Sequence, residues 1–158
     1  MAKPLVVPRN EPVTHAKTWI MTRLWQTLMD NLVANVSASA VIEGSDSLTA
    51  QSATIPATAI TAPIVGGLYR VSYQLRVTQA ATVSSSATVT VTWVSGGNTF
   101  SQSFAAVTGN SLTTQQSGSL PCIDVDAETE IEYAVTYVSV GATPMQFALD
   151  VILELLPS

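Results

Sequence analysis

The chain has 158 residues, 47% of them hydrophobic and only 11% charged, and its six Lys and Arg against eleven Asp and Glu leave a net charge of −5. So few cations argue against a nucleic-acid partner, which needs clustered Lys and Arg, and against a basic membrane-surface helix. A single cysteine (Cys122) and a single histidine (His15) exclude an internal disulfide framework and a multi-cysteine zinc site, and no cofactor is expected.

In chain order, residues 1–15 read as an extended arm. Pro4, Pro8 and Pro12 recur every four residues, and each biases its predecessor towards extended backbone. Leu5 and Val7 give the arm apolar side chains to lay on another surface. Residues 16–36 form the one expected helix, with Thr14 or Thr18 as its cap. Met21, Trp25, Leu28 and Leu32 make an apolar stripe at helical spacing, and Trp19 adds a second tryptophan. That stripe packs either on the chain's own sheet or on a partner. Residues 1–36 are therefore expected to be an attachment segment, and 37–158 a separate β-domain.

The rest reads as all-β. Period-two alternation runs through Tyr69–Val77, Ala87–Trp93, Phe100–Phe104, Ile131–Tyr137 and Phe147–Leu155, the signature of half-buried antiparallel strands. Weaker strands are expected at 38–43, 49–60 and 111–119. Turn residues at Gly66-Gly67, Ser84 to Ser86, Gly96 to Asn98, Gly109-Asn110 and Gly141 to Pro144 divide the segments. About eight strands with no intervening helix predict a mainly β fold, an antiparallel jelly-roll sandwich preceded by the arm and helix. Tyr69, Tyr73, Tyr133, Tyr137 and Phe147 are expected to line either the sandwich core or an oligomer axis.

The candidates for chemistry are few. Cys122 follows Pro121 beside an acidic run and reads as a buried, inert thiol. Asp124, Asp126, Glu128, Glu130 and Glu132 would share one side of a continuous strand, where oxygen ligands suit Ca²⁺. The competing reading is a solvated turn, with Glu130 and Glu132 facing Arg70 or Arg76 on a neighbouring strand. No metal site is assigned. No nucleophile elbow, phosphate loop or dinucleotide fingerprint is present, and the chain is read as a non-enzyme. The N-terminal residues lack the apolar core of a signal peptide, so folding in a cytoplasm is expected.

Two resemblances sharpen this. Gly67-Leu68-Tyr69-Arg70-Val71-Ser72-Tyr73-Gln74-Leu75, the strand ending in Trp93, the segment Leu120 to Tyr133 and the closing run Phe147 to Leu155 resemble complement-globular-head and tumour-necrosis-factor-like domains. The likeness covers about residues 48–156 and implies a homotrimer. Val7-Pro8-Arg9-Asn10-Glu11-Pro12-Val13, followed by Arg23-Leu24-Trp25-Gln26-Thr27-Leu28, resembles the start of small tailed-bacteriophage structural proteins. It implies a virion component assembled in the host cytoplasm, attached to capsid, portal, collar or tail proteins through Leu5, Val7, Trp19, Met21, Trp25, Leu28 and Leu32. The alternative is a receptor- or glycan-binding tip of a spike or fibre, using loops at Ser84 to Ser86, Gly96 to Thr99 and Gly141 to Thr143.

Overall fold

The computed structural model describes residues 25–31, 40–61 and 65–157. The chain divides into two units, Met1–Ala38 and Ser39–Ser158. In the first, residues 25–31 are helical; the arm and the remainder of the helix expected at 16–36 lie outside the described residues.

The second unit is built from eight strands: β1 (Val41–Gln51), β2 (Ile55–Ala59), β3 (Gly67–Gln79), β4 (Ser84–Ser95), β5 (Asn98–Ser103), β6 (Gln115–Val125), β7 (Glu132–Val140) and β8 (Gln146–Leu155). They form two four-stranded antiparallel sheets, ordered β1-β8-β3-β6 and β2-β7-β4-β5. The pairs β1·β8, β2·β7, β3·β6 and β4·β5 are those of one long hairpin rolled up on itself. That is a jelly roll, two sheets closed on a shared core.

The alternation read from the sequence is what makes the core. Tyr69, Val71, Tyr73, Leu75 and Val77 on β3, Ala87, Val89 and Val91 on β4, and Phe147, Leu149, Val151 and Leu153 on β8 are all buried, while the residues between them are more exposed, apart from Ala148, which is buried as well. Tyr133 and Val135 of β7, beside β4 in the same sheet, join the β4 residues in facing those of β3 and β8. Of the five residues expected in the core or on an axis, Tyr69, Tyr73, Tyr133 and Phe147 are buried in this chain's own sandwich, and Tyr137 packs partly buried against it.

Three segments differ from expectation. The first two weak strands divide differently: β1 runs Val41–Gln51 and β2 only Ile55–Ala59. The inward positions of β1 are Gly44, Asp46 and Leu48, which carry little apolar signal. The strand expected at 111–119 is β6, which starts four residues later, at Gln115, and runs six residues further, to Val125. Opposite Arg70, β6 places two residues, Pro121 and Cys122, between the pairs Val71–Leu120 and Tyr69–Ile123. This bulge exchanges the inward parity, from Gln116, Gly118 and Leu120 to Ile123 and Val125. Finally, Ser84 to Ser86 is not a turn but the first residues of β4, with Ser85 buried and its hydroxyl accepting from the Gly109 amide at 2.9 Å.

Candidate functional site

The bulge decides the environment of the one thiol. Cys122 is exposed, not buried, because the extra residue turns it away from the core. Among the described residues it has no hydrogen-bond partner, and an exposed cysteine alone is not a site.

The acidic run is likewise broken up. β6 ends at Val125, a turn follows at Ala127 and Glu128, and β7 starts at Glu132, so the five carboxylates do not line one strand. Asp126 has a structural task. Its carboxylate accepts the amides of Gly96 (2.9 Å) and Gly97 (2.7 Å), and its own amide donates to Val94 (2.9 Å). It thereby clamps the β4–β5 turn, where both glycines take positive φ, 57° and 73°. Neither Glu130 nor Glu132 takes the arginine expected for it. Arg70 lies directly opposite Glu154 of β8 and donates to it at 2.6 Å. That bond raises the guanidinium above its ordinary value and holds the Glu154 carboxyl below its own. Among the described residues no three His, Cys, Asp or Glu side chains are grouped to hold a metal ion.

Three of the four tyrosine hydroxyls tie parts of the fold together. Tyr133 donates its hydroxyl to Asp46, the inward-facing carboxylate of edge strand β1, and so links the two sheets. Burial, reinforced by that bond and by the Asp46 charge, pushes the phenol well above its ordinary value. Tyr69 donates to the Val65 carbonyl at 2.6 Å and Tyr137 to that of Met145 at 2.7 Å. Tyr73 is the exception: its hydroxyl is buried with no partner among the described residues, against the ring of Phe104 (centroids 4.7 Å apart).

The loops named for receptor binding do not converge. Gly96 and Gly97 lie at one end of β4, clamped to Asp126. Ser84 and the Gly141–Thr143 connection lie at the other end, where Thr82 and Thr143 bond each other and Asn110 donates to the Val83 carbonyl. Twelve residues of β4 separate them, about 35–40 Å of extended chain.

Of the expected attachment residues, Trp25 is exposed and Leu28 half-buried in the helical stretch. Leu5, Val7, Trp19, Met21 and Leu32 lie outside the described residues.

The notable surface is one that sequence reasoning did not single out. The outward side of β4 presents Ser84, Ser86, Thr88, Thr90 and Thr92, flanked by Ala134, Thr136, Val138 and Val140 of β7. Val138 and Val140 are more than half exposed, and Glu132 is the one charge on the outward positions of β4, β5 and β7. The signal was present in the sequence as the Thr-Val-Thr-Val-Thr run of residues 88–92, but only the sheet order shows that its neighbours are equally uncharged. No protein-family model matches the chain, and no curated protein matches it.

Proposed function

We propose that this chain is a non-enzymatic structural protein of a bacteriophage particle, a homotrimer of jelly rolls held to capsid, collar or tail proteins by residues 1–36. The observation that carries this reading is the outward side of β4 and β7. It is a broad strand surface of Ser, Thr, Ala and Val with a single carboxylate, where a free soluble surface carries about 25–35% charged residues. Small side chains allow a neighbouring subunit to approach closely, and no charge has to be stripped of water when it does. The internal polar groups support the same reading. Asp46, Asp126 and Tyr133 are engaged in holding strands and turns together, which is a structural use of these groups. The exposed Trp25 and the proline-containing arm before it supply the apolar anchors for attachment.

The test is deletion of residues 1–36. The remaining chain is expected to stay folded, to keep a solution mass of three subunits, and to lose co-sedimentation with particles. A truncated protein that still decorates particles overturns the attachment role.

A further inference from the structure

The sandwich has four edge strands, and three of them are blunted. β1 has two register shifts, with Ala50 at φ 54° in the second, and turns Asp46 inward. β2 is five residues long, contains Pro56 and has a register shift of its own. β6 carries the bulge with Pro121 in it. Proline, bulges, shortness and inward charges are the means by which sheets avoid adding a foreign strand.

The fourth edge, β5, has none of these. Asn98–Ser103 pairs with β4 through six consecutive positions without a shift, has no charge and no proline, and is exposed at every residue. The turn at Gly96-Gly97 is a two-residue hairpin, so Ser95 and Asn98 close it and exchange both backbone bonds. Alternation then directs the N–H and C=O of Thr99, Ser101 and Ser103 away from β4. Two contacts agree with this phase: the Phe104 amide bonds Val89 of β4, whereas the Ser103 carbonyl is met only by the Gln102 side chain.

We propose that β5 pairs antiparallel with β5 of a second copy of this chain, about a two-fold axis at Phe100. In that register Thr99 faces Ser101 of the other copy, and Asn98 faces Gln102. Hydroxyl meets hydroxyl, amide meets amide, and four backbone hydrogen bonds form from Thr99 and Ser101 on each side. Phe100 meets its own symmetry mate. It is 46% exposed and already stacks on Trp93, with ring centroids 5.9 Å apart and planes at 22°. Pairing would extend this stack into a row of four rings, the kind of cross-strand aromatic contact that stabilises sheets. The neutral strand matches itself without like-charge repulsion, and the other three described edges are blunted, so among the described strands the edge a second copy can offer is its own β5.

A two-fold contact cannot close a three-fold ring. This edge would therefore join one trimer to another, and the proposal stands or falls separately from the trimer. Light scattering on the full chain at about 0.1 mM, where micromolar contacts are occupied, is compared with Phe100→Lys, which sets two cations face to face. The expected result is a mass that halves, from six copies to three, or from two to one if the trimer reading fails. A mass of three in both proteins overturns the β5 contact and keeps the trimer; one in both overturns both. Register is tested in a Cys122→Ser background. Phe100→Cys is expected to form a disulfide-linked dimer on mild oxidation, since opposed Cα atoms would lie about 4.5 Å apart. Asn98→Cys and Gln102→Cys, whose mates would be about 13 Å away, are expected not to. Equal cross-linking at all three, or none at position 100 in a folded protein, overturns the register.

Discussion

Strands β5 and β6 are both edges, one on each sheet, and they treat the same problem in opposite ways. β6 interrupts its own ladder: Pro121 removes a donor, and the extra residue bends the strand and reverses which side chains face in. β5 keeps an unbroken, neutral ladder with all six residues exposed. Edge exposure in this fold is selective. Where an edge is left open, it is regular enough to be paired.

The largest loss is expected where the bulge sets side chains inward. Deleting Pro121 would leave Cys122 alone opposite Arg70 and keep Ile123 and Val125 facing in, so the parity is tested by truncating those two side chains together, Ile123→Ala with Val125→Ala. Each buried aliphatic side chain is worth about 1.5–3 kcal/mol, so a loss of about 3–6 kcal/mol is expected in urea unfolding. A loss under about 1 kcal/mol would mean that these side chains do not face the core.

Next in size is Gly118→Val on β6. A Cβ there would stand 2.4 Å from the Tyr73 ring and 3.0 Å from that of Phe104. Overpacking of this kind is expected to cost about 3 kcal/mol, whereas Ser101→Val on exposed β5 should stay within about 0.5 kcal/mol. Thermal unfolding of the two variants side by side measures the contrast.

Two tyrosines sharpen the comparison within the core. Tyr133→Phe leaves the half-buried Asp46 carboxylate of edge β1 without its donor and should cost about 1–3 kcal/mol. Tyr73→Phe removes a buried hydroxyl that has no partner among the described residues, and is expected to be neutral or stabilising by up to about 1 kcal/mol. The Tyr133 link also has a pH signature. Its phenol is raised in the folded state, so the stabilisation is complete below the ordinary value of 10.0 and declines as pH rises above it. Tyr133→Phe should flatten that alkaline loss in a pH series of melting temperatures.

The smallest effect concerns the Arg70–Glu154 pair. Glu154 is lowered by its bond to Arg70, so the stabilisation is present above the ordinary carboxylate value of 4.5 and fades as pH falls through the folded-state value. Arg70→Gln should melt slightly below the parent at neutral pH and converge with it in acid. A difference that persisted at low pH would assign the effect to packing of the arginine stem.

Much of the sandwich was legible because its central strands alternate. On β3, β4, β7 and β8 the apolar residues fall at every second position, and the same residues are the core. The edges were harder to read for a physical reason: an edge strand buries only part of one face. β1 offers Gly44, Asp46 and Leu48 to the interior, and β6 changes phase at Pro121, so neither shows a clean period. The same phase change explains why Cys122 was misplaced. The carboxylates of 124–132 looked like one row because a turn between strands carries no signal in their spacing.

What the amino-acid order determined alone is the local geometry: strands where apolar residues alternate, a tight hairpin where Gly96 and Gly97 accept positive φ, and a polar surface made from Ser and Thr more than from charge. Tertiary structure decided the rest, because it concerns residues brought together from distant parts of the chain. Only the rolled-up pairing places Arg70 against Glu154, Tyr133 against Asp46 and Asp126 over the β4–β5 turn. It alone also decides which strands are edges, and so leaves β5 with a row of backbone groups that nothing in the chain's own sandwich pairs.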